Sequence, residues 1–417
     1  MRFLHLATSD HGGAGVAAVR LHQALGRAGM GSRMIVWSRR GTTPDLVAAK
    51  PQGAIATARR FLARAWNRLT TRRAYYFQNQ NISLAAGTDL VAEATRFRPD
   101  LIVVHSISNF LSFADIRDLQ LRTGARIVWN PLDMGLITGG CHYSWQCERY
   151  RSGCGNCPAL PLRPADDFSA ATIRAKAAAL SDMDHVLVAA SSTLRRQAEE
   201  SLLFAGAAMR TVPIGIDESA FPWIERADAR ARLGIGHAGP VLLIGAQKLS
   251  DRRKGIGLFL DAMATFGAAG GGGDRPLLLV AGAARGLTRL DRTGFEVHRL
   301  GYVSSEELAL AYAAADLFIC PSIEDSGPMM VNESLMAGTP VVAFRIGVVP
   351  DLVIPGVTGI IAAEMSAAGL ASAIAEALRW IADRPDRIRK ACRDLARSQC
   401  SLDMQVRAFI ELASRSE

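Results

Sequence analysis

Leu317-Phe-Ile-Cys-Pro-Ser-Ile-Glu-Asp-Ser-Gly-Pro-Met-Met-Val-Asn-Glu333 is the stretch from which the fold is read. Leu317–Cys320 is a continuous apolar run without polar alternation, which predicts a strand buried on both faces. A loop follows, carrying Glu324 and Asp325, with Ser326 and Gly327 where the backbone is accessible. A helix is predicted from about Met330, with Glu333 in its first turn. Carboxylates placed there can hold sugar or ribose hydroxyls while nearby backbone N–H groups receive phosphate. Acids at a helix start also complement the helix dipole, which accounts for Glu333 but not for the whole constellation.

The same strand–loop–helix pattern repeats in both directions. Val241–Gly245, Leu277–Ala281, Glu296–Leu300 and Pro340–Ala343 read as further strands, with helices over Gly255–Phe266, Ser305–Ala314, Val331–Ala337 and Ala367–Ala382. Upstream, Arg2–Ala7, Ser32–Ser38, Leu101–His105, Arg126–Asn130, Val186–Ala190 and Arg210–Pro213 form an earlier set, with a helix from about Val16 to Ala28. Apolar strands separated by helices imply parallel sheets covered on both faces. The expected architecture is α/β, with two doubly wound Rossmann-like domains facing a central cleft. The N-terminal one spans residues 1–216 and the C-terminal one 217–399, with Gly270–Gly273 as a loop inside the second. A last helix, about Leu402 to Ser414 within 400–417, is expected to pack back on the first. The chain has 417 residues, which suits two to three domains at about 150 residues each.

Two glycine-bearing or basic loops sit where such sheets bind ligands, after strand ends. His11-Gly-Gly-Ala-Gly15 lies between the first strand and the first helix, so Gly12, Gly13 and Gly15 are candidates to approach a phosphate. A plain tight turn is the alternative. Lys248-Leu-Ser-Asp-Arg-Arg-Lys254-Gly leaves a strand and opens a helix, and Lys248 and Lys254 can clamp a diphosphate. A solvated charged loop is the alternative.

Asp325 and Glu333 flank seven residues, and this spacing resembles the Glu-x7-Glu signature of the retaining GT-B glycosyltransferases of the group 1, or family 4, class. Pro213-Ile-Gly-Ile-Asp217 is similar to that family's domain junction. Leu300-Gly-Tyr-Val-Ser, Ala314-Ala-Asp-Leu-Phe and Gly338-Thr-Pro-Val-Val follow in the family's order. The resemblance implies a nucleoside-diphosphate sugar on the C-terminal domain, an acceptor on the N-terminal one, retention of configuration and no catalytic metal or other catalytic cofactor. It implies that Glu333 holds the ribose and Asp325 the donor sugar. Lys248 and Lys254 would neutralise the diphosphate with help from Gly13, and His105 would contact the sugar near the reacting carbon. Asp325 is shorter than the family's glutamate, Lys248 stands where arginine is usual, Ser326-Gly-Pro replaces Gly-Phe-Gly, and Gly347-Val replaces part of a Gly-Gly turn. Those departures bear on which sugar is used. A sugar-nucleotide epimerase of the same fold, or an inactive sugar-nucleotide- or membrane-binding subunit, are the competing readings.

Four of the seven cysteines, Cys141, Cys147, Cys154 and Cys157, fall as Cys-x5-Cys-x6-Cys-x2-Cys. The Cys154-Gly-Asn-Cys157 end has zinc-knuckle spacing, so a structural zinc is expected in a reducing compartment, with disulfides or free loop thiols as alternatives. The cluster follows Asp133-Met-Gly-Leu-Ile-Thr-Gly-Gly140, which starts at a strand end and is expected to shape the acceptor pocket.

Composition narrows the class. Hydrophobic residues make up 49% and charged residues 21%, which excludes a disordered or fibrous chain. No apolar run approaches a membrane span and the first residues do not read as a signal peptide, so a cytoplasmic protein is expected. The net charge is +9, and the acid-free stretch Leu46–Thr88 holds seven cations: Lys50, Arg59, Arg60, Arg64, Arg68, Arg72 and Arg73. Apolar residues including Phe61, Leu62 and Trp66 recur between them at helical spacing. Such a helix suits the inner face of an anionic membrane and hence a lipid-linked saccharide acceptor, as in bacterial surface-polysaccharide assembly. A solvated surface helix is the alternative, and no nucleic-acid-binding signature accompanies the run.

Overall fold

The computed structural model describes residues 1–49, 58, 61–62, 65, 75–78, 80, 83, 89–162, 164–268, 275–283 and 289–414. The chain divides into two compact units, Met1–Val212 with Gln405–Glu417, and Pro213–Met404.

The first unit is built on a parallel sheet of β1 (Arg2–Ser9), β2 (Gly31–Ser38), β3 (Leu46–Ala48), β4 (Leu101–Ser106), β5 (Arg126–Trp129), β6 (His185–Ala189) and β7 (Met209–Thr211). Their order is β3-β2-β1-β4-β5-β6-β7. The helices are α1 (Gly12–Arg27), α2 (Leu90–Phe97), α3 (Phe113–Thr123), α4 (Phe168–Leu180) and α5 (Ser192–Glu199). Ser112 and Asp115 close a reciprocal cap at the start of α3, and Asp167 caps α4. Each cap is worth about 1 kcal/mol.

The second unit has β8 (Val241–Lys248), β9 (Leu277–Ala283), β10 (Val297–Gly301), β11 (Leu317–Cys320), β12 (Val341–Ala343) and β13 (Gly359–Ile361), in the order β10-β9-β8-β11-β12-β13. Around it lie α6 (Arg226–Arg232), α7 (Ile256–Ala268), α8 (Ser305–Ala314), α9 (Met329–Met336), α10 (Val349–Leu352), α11 (Ala367–Asp383) and α12 (Pro385–Cys400). α13 (Leu402–Ser414) follows, and most of it belongs to the first unit. Alternate residues of β8 enter different cores: Val241 and Leu243 pack with α8, α9 and α12, while Leu242 and Ile244 pack with α7 and α11. Burial on both faces is why the strand reads as an unbroken apolar run.

In both sheets the chain order reverses beside the first strand of the unit, at β1/β4 and at β8/β11. Those are the switch points where loops diverge and leave room for a ligand. The three-residue edge strands β3 and β13 carry too few residues for a pattern to predict them. The second unit starts at Pro213 and ends at Met404 because Ile216 pairs with Ser401, its N–H donating to Cys400 O at 2.9 Å. The seven cations of the Leu46–Thr88 stretch and Trp66 lie outside the described residues, as does Gly270–Gly273. Leu46–Ala48 itself is strand. Among the described residues no helix is long and apolar enough to cross a membrane.

Candidate functional site

In the second unit, β8 and β11 are adjacent, so the loops that leave their ends lie side by side. The first is a short turn, Arg252–Lys254, capped by Asp251, whose carboxylate accepts from Arg253 N–H. The second is Pro321–Pro328. Ile323 N–H donates to Arg253 O at 2.8 Å and stitches them together. Gly255 has φ +63°, and a Cβ there would stand 1.7 Å from Pro321 O, so only glycine allows this approach. The result is a pair: Lys254 Nζ lies 2.5 Å from Asp325 Oδ2. Asp325 Oδ1 also accepts from Gly327 N–H at 3.3 Å.

Glu333 is the fifth residue of α9, not in its first turn, and is buried. Helix start and dipole compensation therefore do not explain it. Tyr312 O–H donates to its Oε2 at 3.4 Å. The α9 N-terminus begins after Pro328, without a side-chain cap. Ser326 is buried, Glu324 is half-buried, and Lys248 is exposed at the end of β8.

In the first unit, α1 starts at Gly12, and the side chain of its cap residue His11 accepts no hydrogen bond from the helix. Space in front of Gly13 is open, with nothing within 4 Å of a Cβ placed there. Gly15 differs: its Cβ would lie 2.6 Å from Ser9 O, so its lack of a side chain serves helix–strand packing.

His105 sits near the end of β4, buried and stacked on His5 of β1 with ring centroids 5.3 Å apart. Asn130 Nδ2 donates to His105 Nδ1 at 3.1 Å, which places the proton on Nε2, and that N–H faces His5 Nδ1 at 3.0 Å. Both ring nitrogens are thus used within the unit, because two neighbouring strands place their histidines face to face. The expected ring contact to a sugar is not available in this arrangement. Burial pushes His105 down to about 3, with nearby His22 adding to it, and burial likewise holds His5 well below the usual imidazole range.

A polar chain that sequence reasoning did not assemble crosses the ends of β4 and β5. His142 Nδ1–H donates to Asp133 Oδ2 at 2.8 Å, Ser108 O–H donates to His142 Nε2 at 3.1 Å, and Gln80 Nε2 donates to Ser108 Oγ at 2.9 Å. Lys176, fully buried, donates to Gln80 Oε1 and to the carbonyls of Gly135 at 2.8 Å and Thr138 at 2.7 Å. A carboxylate-oriented imidazole of this kind can accept a hydroxyl proton. The available signal was Asp133 at a strand end with a histidine nine residues on. Its partners Gln80 and Ser108 are remote in sequence.

Cys141, Cys147, Cys154 and Cys157 come together beside this loop as free thiols. Among the described residues no three or more His, Cys, Asp or Glu side chains stand in metal-holding geometry.

Residues 240–379 match the family of glycosyl transferases group 1. Over those residues the chain is similar to the group 1 glycosyl transferases. That region includes Lys248, Lys254, Asp325 and Glu333, so the paired loops belong to the matched domain. Of curated proteins, the GDP-mannose-dependent alpha-(1-6)-phosphatidylinositol dimannoside mannosyltransferase of Mycobacterium tuberculosis is 32% identical over 187 residues, 44% of this chain and 46% of its own length. The match thus spans about half the length of that relative. Sucrose-phosphate synthase from Thermosynechococcus elongatus aligns over 100% of this chain and 99% of its own, with a TM-score of 0.67 and 18% identity. Anabaena HepE in complex with UDP and glucose aligns over 100% of both chains, with a TM-score of 0.67 and 15% identity. At those identities the likeness concerns the fold, which is GT-B.

Proposed function

We propose that the protein transfers a glycosyl unit from a nucleoside-diphosphate sugar to a saccharide acceptor with retention of configuration and without a catalytic metal. The carrying observation is the Lys254–Asp325 pair, clamped at the β8/β11 switch point inside the group 1 domain. Bond cleavage puts new negative charge on the departing diphosphate. A fixed cation stabilises that charge most in the transition state, where it lowers the barrier. Lys254 takes this role, assisted by Lys248 and the open backbone at Gly13. Asp325 orients the donor sugar and Glu333 the ribose. His105 acts as a positioning residue through the ring pair with His5, and the Asp133–His142–Ser108 chain receives the acceptor hydroxyl.

A relative named for GDP-mannose and a neighbour that holds UDP and glucose support the donor class. A relative that acts on phosphatidylinositol dimannoside supports a lipid-linked acceptor. The basic Leu46–Thr88 stretch supports work at the inner face of a bacterial plasma membrane, in surface-polysaccharide assembly, by an otherwise cytoplasmic protein. The test is release of nucleoside diphosphate from a panel of sugar nucleotides in EDTA, with product anomers assigned. Glu333→Ala and Lys254→Ala should each lower release by about a hundredfold or more. Unchanged release in both variants would reject the assignment, and donor binding without turnover would favour a binding subunit.

A further inference from the structure

We propose that Cys141, Cys147, Cys154 and Cys157 form a structural zinc site that braces the acceptor-side loop of the first unit. The four residues come from separate parts of one loop, yet all line a single cavity of about 20 Å³, with Phe77 and Tyr150 also in its wall. That volume admits one water-sized particle. Water needs two or more good hydrogen-bond partners, and thiols are weak ones, whereas a thiophilic cation suits four sulfurs.

The backbone is shaped for this purpose. Gly153, Cys154, Gly155 and Asn156 all have positive φ, at +105°, +61°, +86° and +46°. Left-handed conformations at Cys154 and Asn156 cost of order 1 kcal/mol each and persist only where something else requires them. They turn Cys154 and Cys157 toward the same cavity. Gly155 is fixed too, since its Cβ would sit 2.1 Å from Ala165 O.

The surroundings offer second-sphere support. Thr138 O–H donates to Cys141 O at 2.6 Å and Cys157 N–H donates to Asp167 Oδ2 at 2.6 Å, so the backbone is held at two of the four cysteines. Fixing the chain around a ligand in this way presets its direction. Zinc binding releases each thiol proton to solvent and leaves a four-thiolate centre with net charge −2. Lys176, 1% exposed, ties the start of the same loop together through the carbonyls of Gly135 and Thr138. The side chains do not yet stand in ligating geometry, so the ion would draw the thiols inward by rotation about χ1. A closed four-sulfur shell keeps no open position, so the centre is structural.

The test uses the full chain, purified without chelator and reconstituted with zinc chloride. The expected result is about one zinc per chain, released by a mercurial thiol reagent and replaceable by Co²⁺ with the absorption of a tetrahedral thiolate site. Cys154→Ser and the milder Cys147→Ser should each lower zinc content at least tenfold, while Cys400→Ser, outside the cluster, keeps it. No bound zinc after reconstitution, or disulfides among the four in unreduced mass spectra, overturns the proposal. Zinc content is read without donor sugar, so either outcome leaves the glycosyl-transfer assignment untouched.

Discussion

At the scale of single residues, the Lys254–Asp325 pair sets the sharpest expectation. Lys254→Ala should lower kcat/KM for donor turnover by about 10²–10³, the usual effect of deleting one transition-state charge donor. Asp325→Asn should lower kcat more than it changes nucleotide affinity, because it alters sugar placement and not the diphosphate cradle. Steady-state kinetics with nucleotide titration would separate the two. The His5–His105 pair makes a different prediction. Both imidazoles are held neutral in the folded state, His105 down to about 3, while the unfolded chain protonates them near 6.5. The unfolded state therefore binds more protons below that value. The stability these groups contribute is intact above pH 6.5 and falls as pH drops towards 3. At pH 5 the loss is about 2 kcal/mol for His105, and His5 adds to it in the same direction. Urea unfolding at pH 7 and pH 5 should show it, and His105→Gln should flatten the slope.

At the scale of elements, a glycine decides whether the site exists. Gly255→Ala would drive a methyl into the Pro321 carbonyl at a positive φ. The Arg252–Lys254 turn should then detach from the β11 loop, with a stability loss of about 1–3 kcal/mol and a larger loss of donor turnover. Calorimetry alongside turnover checks both. The same loops explain what the sequence could reveal. Lys254, Asp325 and Glu333 were legible because each follows an apolar strand, and strand ends in parallel sheets are where ligands sit. Leu317–Cys320, Ser305–Ala314 and the last helix have the bounds their patterns predict. What stayed hidden depends on distance in sequence. The ring of His105 was read as facing substrate, but its partners His5 and Asn130 are 100 and 25 residues away. The Gln80–Ser108–His142–Asp133 chain is likewise assembled only when β4 and β5 pair. The turn position of Glu333 was misplaced because α9 opens at Met329.

At the scale of the whole molecule, charge and connectivity carry the expectations. Seven cations without an acid in one stretch should bind anionic vesicles, with binding weakened by salt as screening grows. Cosedimentation with phosphatidylglycerol vesicles should fall when Arg59, Arg60, Arg64 and Arg68 become Gln, while donor turnover in solution stays unchanged. The first unit is discontinuous, with its last helix supplied after the second unit has been threaded. Phe409 of that helix is fully buried and Glu411 pairs with Arg210 at 3.3 Å. During synthesis the ribosome therefore delivers the second unit as one contiguous piece, while the first waits for its final thirteen residues. The first unit is thus completed only after the second, and until then its unfilled apolar face is a chaperone's problem and a route to aggregation.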